Sequence, residues 1–221
     1  MNDEARALIE KCEALLLDFD GPMTKLLPTP KNAELAEAAR RPLLAAAREL
    51  PEDVATTTDH LKVFRWTGEH APDQLGAVEA VIIVGEVEAA KVSEPTDGLI
   101  ELLRRHGHKT VVVTNNAPEA AHTFLDHLGQ VAKPVRVCGR PPRHPQLMKP
   151  SPHLVITAAA TAGVRPSACV LIGDHASDAE AARAAGAQFI GYAFDDRHRR
   201  ELVTALVRTA IPGWHEYSTS G

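Results

Sequence analysis

From residue 95 onward, short apolar strands alternate with helical segments, and this alternation restricts the possible fold more than any other feature of the sequence. Parallel strands are joined by crossover helices and are buried on both faces, so they are typically continuous apolar runs. The pattern predicts an α/β fold with a doubly wound parallel sheet. The predicted strands are 14–17, 110–114, 135–138, 168–172 and 188–192, and the predicted helices around them are 3–12, 96–106, 118–128, 151–162, 178–185 and 197–209.

Residues 23–90 have a different character, because they contain helical patterns broken by prolines and no clear strand. We predict that 1–22 and 91–221 form the sheet domain and that 23–90 is a helical insertion after the first strand. A run at 81–84 could form either part of a helix or a short strand. The tail 212–221 is expected to be loosely held. The predicted helices of the insertion are 33–41, 41–50 with Pro42 in its first turn, 53–66 and 73–91.

The charge balance and the hydropathy exclude several classes of partner. The chain has 24 Lys and Arg against 29 Asp and Glu, a net charge of −5, so we expect no nucleic-acid partner. The basic runs at 140–143 and 197–200 are expected to be solvated faces. The three cysteines have no metal-binding spacing and are typical of reduced thiols. No apolar run is long enough to cross a bilayer, and no signal peptide is evident, so we expect a cytoplasmic protein without a membrane partner.

Polar residues follow the predicted strands at their carboxyl ends, where parallel sheets bind ligands. The first strand ends in the sequence Asp-Phe-Asp-Gly, the next in Thr-Asn-Asn, and the strand at 168–172 in Gly-Asp-His-Ala-Ser-Asp. A lysine precedes the helix at 151–162. We therefore expect one shared site at this edge of the sheet. Its candidate residues are Asp18, Asp20, Thr114, Asn115, Lys149, Asp174 and Asp178.

These residue types together indicate phosphoryl transfer. Several carboxylates in a small site raise one another's pKa, and a hard divalent cation with oxygen ligands removes that conflict. Mg²⁺ suits few carboxylates together with water and phosphate ligands. Lys149 offers a positive charge for a carboxylate nucleophile and a phosphoryl group, and Thr114 can donate a hydrogen bond to phosphate.

The four motifs, in this order, resemble those of the haloacid dehalogenase-like hydrolase superfamily. The motifs are Asp18-Phe-Asp-Gly21, the strand-end Thr114, Lys149, and Gly173-Asp174-x-x-x-Asp178, and the resemblance covers nearly the whole chain. It implies a Rossmann-like core with a helical cap inserted after the first motif, at 23–90. It also implies a Mg²⁺-dependent phosphatase that acts on a small phosphorylated substrate through an aspartyl-phosphate.

The resemblance assigns a role to each motif residue. Asp18 is implied to be the nucleophile and Asp20 the general acid and base. Thr114 is implied to bind phosphate, and Lys149 to hold both the nucleophile and the phosphate; Asn115 beside Thr114 either binds phosphate or serves the turn. Asp178 could instead cap its helix. The implied metal ligands are Asp18, Asp20 (through its backbone carbonyl), Asp174 and Asp178.

Two residues of the first motif narrow the function. Asp20 favours phosphate esters over carbon–halogen substrates, because an alkoxide leaving group needs an acid and a chloride does not. Pro22 departs from the family pattern, since it fixes φ and removes one N–H, and it indicates an altered hinge or substrate preference.

Several alternatives remain open from the sequence alone. A sugar-phosphate mutase of the same superfamily, or a binding or regulatory protein that retains the fold, would carry the same motifs. Arg65 and Trp66 could face a substrate, although a packed Trp with a surface Arg is favoured. The loop 139–145 could attract an anion, although a solvated rim is favoured. The histidines show no spacing typical of metal ligands. No pattern specifies the oligomeric state.

Overall fold

The computed structural model describes residues 3–193 and a two-residue strand at 210–211. The predicted helix at 197–209 and the predicted loose tail at 212–221 lie outside the described residues. The strand Ala210–Ile211 was not predicted, and it pairs in parallel with the preceding strand of the sheet.

Within the described residues, six parallel strands form one sheet in the order β3-β2-β1-β4-β5-β6. β1 lies in the interior of this sheet, and its Leu16 pairs with Val111 on one side and with Leu171 on the other. This confirms the predicted α/β class with a parallel sheet. The strands are β1 Ala14–Leu17, β2 Thr110–Val113, β3 Arg136–Cys138, β4 Cys169–Gly173, β5 Gln188–Tyr192 and β6 Ala210–Ile211.

Helices cover both faces of the sheet, which explains why β1 is apolar at every position. Leu15 and Leu17 pack on one face, whereas Ala14 and Leu16 pack on the other. Alternate residues of a strand point to opposite faces, so a strand between two helical layers needs no polar side chain. The described helices are α1 Asp3–Lys11, α2 Lys31–Ala45, α3 Glu52–Ala55, α4 His60–His70, α5 Leu75–Ala90, α6 Leu99–His106, α7 Pro118–Leu128, α8 His153–Ala162 and α9 Ala176–Ala185.

The helical insertion differs from the prediction at Pro42. The two helices predicted to meet near this residue form the single helix α2, with Pro42 inside it. The buried residues Leu35, Ala39 and Leu43 lie four apart along one face of α2, and this face packs against α4 and α5. Burial of that continuous apolar face offsets the cost of about 3 kcal/mol of an internal proline.

The predicted helix at 53–66 is two helices, α3 and α4. Asp59 breaks the run, because its carboxylate accepts a hydrogen bond from Leu61 N at 2.8 Å and begins α4 as an N-cap. The run at 81–84 lies inside α5, so the strand alternative was wrong. α2, α4 and α5 share an apolar cluster that also includes Met148 from the loop before α8.

A glycine after β3 makes a close contact that no larger residue fits. A Cβ on Gly139 would lie 2.7 Å from Pro118 N, which belongs to the backbone at the start of α7. A Cβ on Gly76, in contrast, would meet nothing within 4 Å.

We expect Gly139→Ala to lower the free energy of unfolding by about 1–3 kcal/mol, because backbone must move to relieve the overlap. Gly76→Ala, in the first turn of α5, should raise it by up to about 1 kcal/mol through helix propensity. Urea denaturation of both variants checks this pair. Equal stabilities for the two variants would contradict the close approach at Gly139.

Candidate active site

Three aspartates converge where β1 and β4 end. Asp18 follows β1, and its N–H donates to Ile172 O of β4 at 2.9 Å, so neighbouring strands bring the two motifs together. Asp18, Asp174 and Asp178 each offer a carboxylate oxygen, and these oxygens lie within 4.8 Å of one another. The predicted juxtaposition of the first and last motifs is therefore present.

Lys149 is buried among these carboxylates. Its Nζ lies 2.8 Å from Asp18 Oδ1 and 2.6 Å from Asp178 Oδ1, and it donates to Val113 O at 2.9 Å. The side chain is only about 2% exposed. The three N–H donors of the lysine are therefore all used, by the residue that follows β1, by the last residue of β2 and by the first turn of α9.

The side chain of Asn115 binds the backbone of Lys149. Its Oδ1 accepts from Lys149 N at 2.7 Å, and its Nδ2 donates to Lys149 O at 3.0 Å. Arg65 of α4 donates to the same carbonyl at 3.3 Å. The strand-end Asn thus fixes the loop that carries the lysine, and it also lines the cavity.

Thr114 is fully buried at the end of β2. Its hydroxyl donates to Asn116 Oδ1 at 2.9 Å and accepts from Asn116 N at 3.0 Å. Its neighbours Asn115 and Asn116 line the cavity. In this arrangement Thr114 is hydrogen-bonded to Asn116, and its contact with phosphate stays a prediction.

Asp20 and the turn after it form another side of the cavity. Asp20 Oδ1 accepts from Leu26 N at 2.9 Å, which fixes the carboxylate. Gly21 has φ 108°, and a Cβ there would overlap the carboxylate of Asp174. Pro22 is accommodated in this turn, where its carbonyl accepts from Thr96 Oγ1 at 2.7 Å. Glycine is therefore required here both by φ and by the close approach of Asp174.

Asp178 has two roles in the structure. Its Oδ2 accepts from His175 N at 3.0 Å, which completes a capping box at the start of α9, while its Oδ1 faces Lys149. The cap interpretation left open by the sequence is therefore correct, and it coexists with the contact to Lys149. His175 is the N-cap residue of α9 and lines the cavity.

The electrostatics show a shortage of positive charge. Burial raises the pKa of Asp18 to about 7; Lys149 opposes this shift and Asp178 adds to it. Burial, Asp18 and Asp178 raise the pKa of Asp174 well above its ordinary value. Burial also raises the pKa of Asp20. Asp178 and Asp18 raise the pKa of Lys149 against the effect of its burial, so the lysine stays charged.

The donor set fits a hard divalent cation. When all three carboxylates at Asp18, Asp174 and Asp178 are ionised, the ammonium of Lys149 compensates one of them, and two formal negative charges are left for a cation to neutralise. All the candidate ligand atoms are oxygens, which hard cations prefer. One carboxylate oxygen of each of these residues lies within 4.8 Å of the others, which is close enough to share one ion.

The site opens into a cavity of about 450 Å³ between the sheet edge and the helices of the insertion. The sequence favoured a surface position for Arg65, but this residue is half-buried, lines the cavity and contacts Lys149 O. Trp66 instead stacks on His70 at a centroid distance of 5.0 Å. The residues that α4 and its preceding turn contribute to the cavity are Thr58, Asp59, His60, Leu61 and Arg65.

Sequence reasoning missed a buried polar cluster beside this cavity. Arg140, expected on a solvated rim, is only 2% exposed, and its guanidinium donates to both oxygens of Glu86 at 2.9 Å. The guanidinium also lies over the ring of Phe64, 5.2 Å from its centroid. One signal was available in the sequence: Glu79 and Glu86, seven residues apart, share one face of the apolar helix α5.

Glu86 joins the insertion to the strand-end loop after β2. Its Oε1 accepts from Asn116 Nδ2 at 2.9 Å and lies 3.0 Å from His60 Nε2, and its Oε2 accepts from Ala117 N at 2.8 Å. Burial opposes ionisation, but Arg140 and His60 lower the pKa of Glu86 to about 2. This carboxylate is therefore ionised, and four groups contact it.

The parallel sheet and the acidic site at its carboxyl edge define the class of α/β enzymes that bind ligands at this edge. Comparison with known proteins then gives the family. The family model for haloacid dehalogenase-like hydrolases matches residues 12–186. The chain therefore belongs to the haloacid dehalogenase-like hydrolase family, as its motifs predicted. No described helix has the length and apolar character needed to span a bilayer.

Relatives and solved structures agree with this assignment. A phosphoglycolate phosphatase from Xylella fastidiosa strain 9a5c is 30% identical over 178 residues, covering 78% of this chain and 76% of the relative. A hydrolase from Pseudomonas syringae shares the fold with a TM-score of 0.65 at 19% identity, covering 91% of this chain and 93% of that one. The structure of CbbY from Rhodobacter sphaeroides in complex with phosphate gives a TM-score of 0.65 at 18% identity, covering 93% of this chain and 96% of that one. The chain is thus a hydrolase, and its phosphatase relatives support its assignment as a phosphoric monoester hydrolase.

Proposed function

We propose that this protein is a Mg²⁺-dependent phosphatase that hydrolyses a small phosphorylated metabolite through an aspartyl-phosphate on Asp18. The observation that carries the proposal is the contact of Lys149 Nζ with both Asp18 and Asp178, 2.8 and 2.6 Å away, inside an oxygen-lined site. A buried ammonium in this place holds the nucleophile and can stabilise charge on a transferring phosphoryl group.

The reaction would proceed in two displacements. In the first, a carboxylate oxygen of Asp18 attacks phosphorus, the ester bond to the leaving oxygen breaks, and that oxygen takes the proton of Asp20. In the second, Asp20 removes a proton from water, which attacks the same phosphorus and releases phosphate and the Asp18 carboxylate. Splitting one displacement in two, with a positioned acid and base, lowers the barrier to each step.

We propose direct metal contacts for Asp18, Asp174 and the backbone carbonyl of Asp20. Asp178 would act mainly through Lys149, because its two oxygens already contact Lys149 and His175 N. When bound, Mg²⁺ would supply positive charge that neutralises the phosphoryl oxygens. Thr114 and Asn115 would stand beside the phosphate, with Asn115 also holding the lysine loop.

We also propose that residues 23–90 act as a cap on the core formed by 1–22 and 91–221. Two connections join them, and they lie side by side: Thr24 Oγ1 donates to Glu94 O at 2.7 Å, and Thr96 N donates to Met23 O at 2.9 Å. Adjacent connections are suited to a hinge. The cap would exclude water and provide substrate contacts from α4.

Release of phosphate tests the proposal. With Mg²⁺, the purified protein should release phosphate from phenyl phosphate, a simple aryl ester, and from a panel of phosphorylated metabolites. The first metabolite to test is 2-phosphoglycolate, the substrate that the names of the Xylella relatives carry. No phosphate release from any of these compounds would contradict the proposal. Interconversion of sugar phosphates with little free phosphate would instead identify a mutase.

Metal removal should be visible without any assay of activity. Mg²⁺ binds the native site and not the unfolded chain, so millimolar Mg²⁺ should raise the Tm of EDTA-treated protein. Asp174→Asn should abolish most of this rise, whereas Asp53→Asn on the exposed surface of α3 should retain it. Thermal melts with and without Mg²⁺ check this. An equal rise in both variants would show that the ion binds elsewhere.

A further inference from the structure

His60 lies at the start of α4, on the cap side of the cavity. It is 7% exposed, and it lines the cavity together with Asp20 and Asp59. Asp59 is already used as the N-cap of α4. The motifs assign no role to His60, although it stands close enough to Asp20 for the two to interact electrostatically.

The ring of His60 is held from one edge. Its Nε2 lies 3.0 Å from Glu86 Oε1. An ionised carboxylate can only accept a hydrogen bond, so Nε2 carries the proton of this contact. In the part of the chain that the structure describes, Nδ1 on the opposite edge has no hydrogen-bond partner, and His60 lines the cavity, so Nδ1 is the ring nitrogen available to a ligand.

Glu86 fixes this ring relative to the reacting end of the site. The same carboxylate binds Asn116 Nδ2 and Ala117 N, which follow the strand-end Thr114. It is also bound by the buried Arg140, so its position is set by groups from three parts of the chain. A rigid, carboxylate-held imidazole at a cavity wall is suited to orienting one polar group of a ligand.

We propose that His60 is a specificity-determining residue that contacts, through Nδ1, an oxygen substituent on the carbon skeleton of the leaving alcohol. With the proton on Nε2, Nδ1 accepts a hydrogen bond from a hydroxyl, whereas a carboxylate accepts one from Nδ1 of the doubly protonated ring. Glu86 is the residue that positions the ring. The inference rests on the proposed phosphatase function and narrows it to phosphorylated alcohols that bear a hydroxyl or a carboxylate. Phenyl phosphate, which has no oxygen outside its phosphate ester, lacks this contact.

Two variants of His60 distinguish the contribution of Nδ1 from that of Nε2. The amide of His60→Gln reaches the position of Nε2 and can keep the contact with Glu86, but it leaves the position of Nδ1 empty. The amide of His60→Asn reaches the position of Nδ1 and loses Glu86. The measurement is kcat/KM for 2-phosphoglycolate and for glycerol 3-phosphate, each divided by kcat/KM for phenyl phosphate. The first substrate carries a carboxylate and the second carries hydroxyls.

We expect His60→Gln to lower at least one of these ratios about 10–100-fold, as the loss of one hydrogen bond to a substrate does. His60→Asn should lower the same ratio less. Glu86→Gln should also lower it, because the ring loses the charged carboxylate that positions it. His70→Gln, at the exposed end of the same helix, should leave both ratios as they are. The ratio that falls identifies the substituent as carboxylate or hydroxyl.

An unchanged pair of ratios in His60→Gln would overturn the inference, and so would an equal loss on all three substrates. Thermal melts accompany the kinetics, and a folded variant with unchanged ratios counts against the proposal. Failure of the proposed function would look different, because the unsubstituted protein would then hydrolyse none of the three substrates.

Discussion

Asp18→Asn is expected to abolish phosphate release, with a loss of at least about 10⁴-fold in kcat, as removal of a nucleophile does in enzymes with covalent intermediates. The amide cannot form the acyl-phosphate bond that the carboxylate forms. The measurement is phosphate release from phenyl phosphate and from the best substrate of the panel, with Mg²⁺ present.

The same variant should remain folded, so that inactivity is not confused with unfolding. Asp18 is one of three carboxylates that share Lys149, and the loss of one negative charge relieves repulsion. We expect a Tm equal to or above that of the unsubstituted protein. A beryllium fluoride complex, which mimics the aspartyl-phosphate, should form with the unsubstituted protein and not with Asp18→Asn. Residual turnover of more than about a hundredth of the original rate would contradict the role of Asp18 as nucleophile.

Lys149→Met should cause the second largest loss, in both activity and stability. Without the ammonium, the buried carboxylates of Asp18 and Asp178 and the half-buried carboxylate of Asp174 face one another, and breaking a buried ion pair costs about 3–5 kcal/mol. Loss of a preorganised charge on the reacting group should lower kcat a further 10²–10³-fold, as an order of magnitude. Urea denaturation and steady-state kinetics measure the two effects.

Lys62→Met is the matched control. Lys62 Nζ lies 2.9 Å from Asp53 Oδ2, but both side chains are largely exposed, at 43% and 67%. An exposed pair of this kind contributes at most about 1 kcal/mol. The two lysines therefore make ion pairs of similar length and differ in burial. If Lys149→Met and Lys62→Met destabilised the protein equally, Lys149 would not be the main countercharge of the site.

The sheet could be predicted because its strands carry their own signal. The runs at 110–114 and 188–192 are apolar enough that burial on both faces is the favoured outcome, and glycines end the helices between them at 129, 163 and 186. The helix Pro118–Leu128 was predicted with its observed bounds, since a proline opens it and Gly129 follows it.

The helices of the insertion could not be bounded in the same way. Pro42 lies inside α2 because one apolar face packs against α4 and α5, and a local preference cannot report that packing. The break before α4 depends on whether Asp59 caps a helix or lies on its surface, and both are compatible with the sequence. The long-range contacts decided these cases.

Some residues of the site could also be predicted from the sequence, whereas others could not. Asp18, Lys149 and Asp174 could be named from the chain because each motif adjoins a recognisable strand or helix. The second function of Asn115, which holds the backbone of Lys149, follows from a pairing 34 residues apart and has no local signal. Arg140 was predicted on the surface because a run of basic residues such as 140–143 usually forms a solvated face. Glu86, 54 residues away, makes its burial possible.

The sequence alone determined the parallel α/β class, the family motifs and the chemistry of an acidic, lysine-containing site, because periodicity and strand-end residues are local properties of the chain. Only the tertiary structure decided which polar groups are buried together. The cost of burying Glu86, Arg140 or Lys149 depends on the partner that each one meets, and those partners come from distant segments. For the same reason His60 became a candidate for substrate contact only when the cavity and the carboxylate behind it were seen together.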